Sequence, residues 1–266
     1  MTSLPYLEHL ARESARFAEA VAAAAPGAPV PTCPDWDADD LLWHLGEVQW
    51  FWSQVVGGPI TDGSEVQALV HPERPGDRPG LERFYAEASR GLQRVLADTP
   101  PDTPAWSWSA EQTAGFSRRR QAHEALIHRL DAELSSGRRT DMDPALAADG
   151  VDEVLRIMFG GHPGWGVFTP EDGATVRLSA TDTGHSWLVT LGRFAGQDPR
   201  SDKEVDEPDI DVAGIDPGCA AAVTVSGTAA DLDCRLWHRP TLGDVAAEGD
   251  AEVLRRWEQI MSAGLN

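Results

Sequence analysis

A carboxylate and an imidazole lie four residues apart in the segment HEALIHRLD, residues 123–131. On an α-helix, residues four apart share one face, so Glu124 and His128 would project side by side, with Asp131 about one turn further along. Zinc accepts imidazole and carboxylate ligands together, and a catalytic zinc site combines three protein ligands with one open position. The pair can therefore hold a metal ion if another segment supplies a third ligand. A solvated helix face, or a hydrogen bond within the helix, is the alternative.

His44 is the strongest candidate for that third ligand. The predicted second helix places it beside the apolar residues Leu41, Leu45 and Val48 rather than on a charged face. A neutral imidazole among leucines requires a polar partner. The alternative is a core histidine whose ring is satisfied by a backbone carbonyl or a carboxylate.

Apolar residues at helical spacing in the first half of the chain predict the elements that would position these side chains. Asp37 can cap the second helix, and Gly137 can close the fourth in a left-handed conformation. Connections of moderate length between four helices indicate a bundle, which we assign to residues 1–140. The predicted helices run over residues 4–25, from Asp37 to Gly57, over 81–98 and over 113–136.

The residue pattern changes at about residue 140, and the second half of the chain mixes helical with strand patterns. We assign residues 141–266 to a smaller mixed α/β domain, which makes the fold class α+β. Residues 196–218 are acidic and rich in Pro and Gly, which predicts an exposed insertion. The predicted helices cover residues 143–159, 228–239 and 251–261, and the predicted strands cover 174–180, 185–191, 222–227 and 244–250.

The composition excludes several classes of partner. The chain has 22 basic and 43 acidic residues and a formal charge of −21, which disfavours nucleic acid and anionic membrane surfaces. No run of 18 apolar residues occurs, and the N-terminal segment lacks an export pattern. The cysteines Cys33, Cys219 and Cys234 form no CxxC pair, so a reducing cytoplasm is expected. The composition does not exclude small organic substrates, and nothing in the sequence indicates an oligomeric state.

Three segments carry a resemblance to a known family. They are CPDWDADDLLWHL at 33–45, RRRQAHEALIHRLDAE at 118–133 and VSGTAADLDCRLWHR at 225–239. The chain resembles the mycothiol-dependent maleylpyruvate isomerase family, a branch of the DinB-like metal-binding four-helix bundles. The resemblance implies a DinB-like bundle followed by a C-terminal α/β domain. It also implies a divalent metal, most often zinc, held by His44, Glu124 and His128, and mycothiol as the thiol cosubstrate.

The resemblance also implies a reaction on an electrophilic small molecule. Metal coordination deprotonates a thiol whose free pKa is near 8.5. Addition of the thiolate to a conjugated double bond, rotation and elimination would isomerise the substrate. Release of the adduct would instead make the protein a thiol S-transferase. A metal-binding regulatory module without turnover is the other alternative, and a purely structural bundle without metal is a third reading.

Several further residues follow from the resemblance. Arg239 matches an arginine that closes the C-terminal motif and would act catalytically by holding a substrate carboxylate. Its alternative is a cation at a helix end. Asp131 would orient a ligand imidazole, or else pair with Arg120 or Arg129. The family pattern leads us to expect a small residue at position 238, where this chain has His238.

Overall fold

The computed structural model describes residues 4–212, 220–263 and 265. The chain divides into two compact units, Met1–Asp141 and Met142–Asn266. The first unit is helical and the second combines helices with a five-stranded sheet, so the predicted fold class is confirmed. No helix within the described ranges is both long enough and apolar enough to cross a bilayer.

The first unit is built from four long helices. Helix α1 packs on α5, α2 packs on α4, and α2 also contacts α5. Apolar side chains of α1, α2 and α4 fill the centre, where Phe17, Leu41 and Tyr85 are buried together. The helices are α1 (Tyr6–Ala23), α2 (Ala38–Gly57), the short α3 (Gly63–Gln67), α4 (Arg78–Asp98) and α5 (Ala114–Ser135).

Capping residues set the ends of these helices. Asp37 accepts hydrogen bonds from the backbone N–H groups of Asp39 and Asp40 at 2.8 and 2.9 Å, and the Asp40 carboxylate accepts from the N–H of Asp37, which completes a capping box. Gly137 follows α5 with φ of +67°, as predicted for a left-handed cap. Helix α4 begins at Arg78, three residues earlier than predicted, because the Asp77 side chain caps it there. The five-residue α3 was not predicted.

The second unit contains a sheet with strand order β3-β2-β1-β4-β5. Strand β1 pairs antiparallel with β2 and parallel with β4, and the outer pairs are antiparallel. Helix α6 continues into one turn of π-helix, Val154–Phe159. The elements are α6 (Pro144–Glu153), β1 (Gly166–Ala180), β2 (Ser186–Gln197), β3 (Glu204–Val212), β4 (Val223–Gly227), α7 (Ala229–Leu236), β5 (Ala246–Gly249) and α8 (Ala251–Met261).

Part of the predicted insertion 196–218 is a regular strand of the sheet, so the prediction of an insertion was wrong there. Residues 204–212 form β3, which pairs with β2. Its apolar residues Ile210 and Val212 are buried, while its acidic residues are exposed apart from the partly buried Asp209. Charge and proline are typical of an edge strand. Strand β1 also begins at Gly166, eight residues before its predicted start. Residues 213–218 of the predicted insertion lie outside the described residues.

The end of α7 explains the expected small residue at position 238. The helix ends at Leu236, three residues before the predicted end, and His238 has φ of +55°. This left-handed conformation after a helix is one that glycine adopts without steric cost. In this chain the His238 Nε2 lies 2.6 Å from the carbonyl oxygen of Met261. This hydrogen bond stabilises the histidine in the strained position.

A buried ion network joins α1 to α5 in the first unit. Arg129 is fully buried, and its Nε donates to Glu13 Oε2 at 2.9 Å. Its Nη1 donates to Glu133 Oε2 at 2.9 Å and to Thr140 Oγ1 at 3.0 Å. Removing one partner of such a pair leaves an uncompensated buried charge.

We therefore expect Glu13→Ala to lower the unfolding free energy of the first unit by about 3–5 kcal/mol. Urea unfolding followed by circular dichroism and tryptophan fluorescence would measure it. The matched control is Glu8→Ala, an exposed glutamate on the same helix, which should change stability by less than about 0.5 kcal/mol. Equal effects of the two variants would contradict a structural role for the network.

Candidate metal centre

Three predicted side chains meet where α2 faces α5. Glu124 Oε1 lies 3.1 Å from His128 Nε2 and 3.6 Å from His44 Nε2. The three ligand atoms all lie within 4.8 Å of one another. Ligand atoms on one tetrahedral zinc ion, each about 2.0–2.2 Å from the metal, are roughly 3.3–3.6 Å apart. The two imidazoles and the carboxylate therefore fit a single divalent cation after only small movements.

The opposed directions of α2 and α5 bring these residues together. His44 of α2 contacts Glu124 and His128, whereas Trp52, two turns later on α2, packs against Phe116 near the start of α5. The contacts move backwards along α5 as α2 advances, so the two helices are antiparallel. Because Glu124 and His128 are four residues apart, both face α2 at the level of His44.

Asp131 orients the imidazole of His128. His128 Nδ1 donates to Asp131 Oδ2 at 3.0 Å, which leaves Nε2 to face the other two side chains. The Asp131 carboxylate is fully buried and accepts a second hydrogen bond from Thr32 Oγ1 at 2.6 Å. We predicted that Asp131 either orients a ligand imidazole or pairs with an arginine. The structure shows the hydrogen bond that orients the imidazole of His128. The loop before α2 is thereby tied to the ligand on α5.

Arg120 was not predicted as part of the centre. Its buried guanidinium donates from Nη2 to Glu124 Oε2 at 2.6 Å. The pair is four residues apart on α5, a spacing that could have indicated the contact in the sequence. Because Arg120 binds one carboxylate oxygen, the other oxygen is directed at the two imidazoles. Arg129 instead pairs with Glu13 and Glu133.

The electrostatics of the centre favour a proton on His128 in the absence of metal. Burial opposes the charged imidazolium, but hydrogen bonds to Asp131 and Glu124 outweigh it and raise the pKa of His128 to about 9. Burial also opposes ionisation of Glu124, yet the charge of Arg120 and hydrogen bonds from both histidines hold the pKa of Glu124 well below its usual range. At neutral pH a cation entering the centre must displace the His128 proton.

The centre opens to solvent on the side of His44. The His44 side chain is 31% exposed, against 18% for Glu124 and 11% for His128. Trp36 lies on that side, with its ring centroid 4.7 Å from that of His44 and 6.4 Å from that of His128. An incoming ligand would therefore approach beside His44 and the Trp36 indole.

Arg239, the remaining predicted site residue, lies elsewhere, and Cys33 and His123 also lie outside the centre. Arg239 belongs to the second unit, is nearly buried just after α7, and donates from Nη1 to the Trp237 carbonyl at 2.6 Å. It borders a cavity of about 600 Å³ that Arg235 and Trp257 also line. Cys33 is partly buried against the core of the first unit. His123 packs edge-on against Tyr6 rather than joining the centre.

Comparisons with known proteins agree with this architecture. Residues 7–133 match the family model described as the mycothiol maleylpyruvate isomerase N-terminal domain, and residues 145–256 match the C-terminal domain model of the same family. A crystal structure of mycothiol-dependent maleylpyruvate isomerase is similar, with a TM-score of 0.58 and 13% identity. A histidine-to-alanine mutant of that isomerase gives a TM-score of 0.60 and 14% identity. Both alignments cover 94% of this chain and 98% of the other. No curated protein matched.

We expect zinc binding near pH 7 to release about one proton per ion, because His128 must lose its proton while Glu124 is already ionised. Apparent affinity should rise about tenfold per pH unit until the pH approaches the His128 pKa of about 9, and then level off. Calorimetry in buffers of different ionisation enthalpy between pH 6.5 and 8.5 measures the released protons. Heats that are independent of the buffer would show that His128 is neutral before metal binding.

We expect Asp131→Asn to weaken zinc binding about 10–100-fold, because the amide no longer holds the Nδ1 proton of His128 as a carboxylate does. Competition with a chromophoric zinc chelator gives the affinity. Asp35→Asn is the matched control, since Asp35 is exposed in the same loop that carries Thr32. If both variants bind zinc like the wild type, Asp131 does not tune the imidazole.

Proposed function

The chain belongs to the mycothiol maleylpyruvate isomerase family, and we propose that it is a metal-dependent isomerase that uses mycothiol as a thiol cosubstrate. Its substrate would be a small electrophile with a carbon–carbon double bond conjugated to a carbonyl. The observation that carries the proposal is the convergence of His44 Nε2, Glu124 Oε1 and His128 Nε2 from two helices. The family and both similar structures support the enzyme class.

We propose zinc as the cation, held by His44, Glu124 and His128. Two neutral imidazoles and one carboxylate leave one positive charge on the centre, which suits an anionic fourth ligand. When bound, zinc would lower the pKa of a coordinated thiol so that it is a thiolate at neutral pH. The donor set offers three protein ligands, which is the number found in zinc sites that keep an open position for substrate.

The surrounding residues have separate proposed roles. Asp131 holds the proton on His128 Nδ1 and so keeps Nε2 available as a ligand. Arg120 holds Glu124 in its ionised form and fixes the direction of its free oxygen. Trp36 covers one side of the imidazoles and limits the access of water to the reacting thiolate. In the second unit, Arg239 would pair with a carboxylate of the electrophile through its planar guanidinium.

The proposed reaction is an addition followed by its reversal. The thiolate sulfur forms a bond to one alkene carbon, and the π electrons move through the conjugated system to the carbonyl oxygen. The former double bond is now single and rotates. Return of the electrons expels the thiolate and leaves the trans isomer, so the thiol is regenerated. Release of the adduct before elimination would instead be S-transfer, and product analysis separates the two outcomes.

We expect His128→Ala to lose stoichiometric zinc and to lower kcat/KM for mycothiol-dependent isomerisation of maleylpyruvate by more than about 100-fold. Loss of a ligand should exceed the 10–100-fold cost of losing one of its supporting partners. Metal analysis and chromatographic product analysis measure both effects. His185→Ala, an exposed histidine in the second unit, is the control. Undiminished turnover by chelator-treated protein would refute the metal-dependent mechanism.

A further inference from the structure

A stripe of aromatic and polar side chains continues from the metal centre along α2. His44, Glu47 and Phe51 recur at i, i+3 and i+7, so they share one face of the helix. The Glu47 carboxylate lies 2.8 Å from Nδ1 of His71, whose ring stacks near Phe51 with centroids 6.5 Å apart. Trp106 lies beyond, 6.2 Å from Phe51. We call Glu47, Phe51, His71 and Trp106 the aromatic stripe.

The aromatic stripe is only partly covered by protein. Phe51 and Trp106 have intermediate exposure, and the side chain of His71 is 51% exposed. The stripe is nevertheless held in place, because His71 is bound to Glu47 and the backbone N–H of Trp106 donates to the carbonyl of Ile60 at 2.8 Å. Adjacent rings that are held in place and partly exposed can serve as a ligand-binding surface.

We propose that the aromatic stripe binds the sugar portion of the thiol cosubstrate, an inference that rests on the proposed function. Mycothiol is an N-acetylcysteine joined by an amide to glucosamine, which is linked to inositol. Both rings have a face of apolar C–H bonds and an edge of hydroxyl groups. The C–H faces can pack on Phe51 and Trp106, and the hydroxyl groups can hydrogen-bond to Glu47 and His71.

The span of the aromatic stripe matches the thiol. His44 and Phe51 are seven residues apart, which is about 10.5 Å along α2. Five bonds separate the sulfur of mycothiol from its glucosamine ring, so the first ring begins about 6 Å and the second lies roughly 12 Å from the sulfur when extended. A thiolate at the metal centre would therefore place its rings over the stripe.

The charge of the protein agrees with an uncharged ligand on this surface. With a net charge of −21 and a carboxylate at Glu47, the surface disfavours phosphate or carboxylate groups. The glucosamine amide and the inositol hydroxyl groups carry no charge. A neutral sugar and cyclitol therefore suit the stripe better than an anionic ligand does.

The first experiment uses N-acetylglucosaminyl-inositol, which lacks the cysteine and so cannot bind through sulfur. Saturation-transfer NMR with the full chain should give clear signals for the wild type and signals at least about fivefold weaker for Phe51→Leu and Trp106→Leu. Phe84→Leu is the matched control, because this partly buried ring on α4 packs against Trp43. Absence of wild-type signal, or equal signals in all four proteins, would overturn the inference.

The second experiment separates this inference from the proposed function. Cobalt-loaded protein is titrated with mycothiol and with N-acetylcysteine, using the thiolate-to-cobalt absorption band. We expect a preference of about tenfold or more for mycothiol, which falls toward unity in Phe51→Leu and Trp106→Leu, as the loss of one aromatic contact predicts. The affinity for N-acetylcysteine should change less than about twofold.

The two failures have different signatures. If both thiols bind cobalt equally well in the wild type, the metal chemistry stands and the role of the aromatic stripe is overturned. If the sugar fragment binds and is lost in Phe51→Leu while neither thiol changes the cobalt spectrum, the stripe is supported and the proposed thiol chemistry fails.

Discussion

Every charged side chain on α5 needs a partner, because this helix is buried on most of its faces. Moving an ion from water into a protein interior costs several kcal/mol unless another charge or several hydrogen bonds compensate. The partners come from all around the helix. Glu13 on α1 meets Arg129, Thr32 in the loop before α2 meets Asp131, and His44 on α2 meets Glu124. The charges of α5 therefore fix the neighbouring segments, and the candidate metal centre is one part of this network.

The periodic features of the sequence were enough to predict most of the fold. Apolar spacing and capping residues located the four long helices, and the strand patterns located parts of β1, β2, β4 and β5. Strand β3 was missed because its many acidic residues dominate the composition, and only the pairing with β2 shows that Ile210 and Val212 face inward. Composition averages over both faces of a strand, so it hides a one-sided pattern at a sheet edge.

Part of the candidate centre was also predicted from residue spacing. Helical spacing placed Glu124 and His128 together, and an apolar setting pointed to His44. The structure brings these three side chains together, while their role as metal ligands remains a prediction. The contacts that support these three residues could not be predicted in the same way. Nothing in the local sequence links Thr32 to Asp131, which are 99 residues apart, because only the packed bundle brings the loop before α2 against α5. The Arg120–Glu124 pair was visible as a spacing, but several arginines competed for the carboxylates.

The proton on His128 has a consequence for how the centre is filled. When no ion is bound, this proton and the charge of Arg120 would compensate the carboxylates of Glu124 and Asp131, so we expect the bundle to fold without a cation. A metal ion that binds at the centre would replace this proton. The free energy of metal binding would then contribute to selectivity between ions and not to folding. Since affinity across the divalent transition metals follows an intrinsic order, the supply of each ion in the cell, as well as the protein, would decide the occupant.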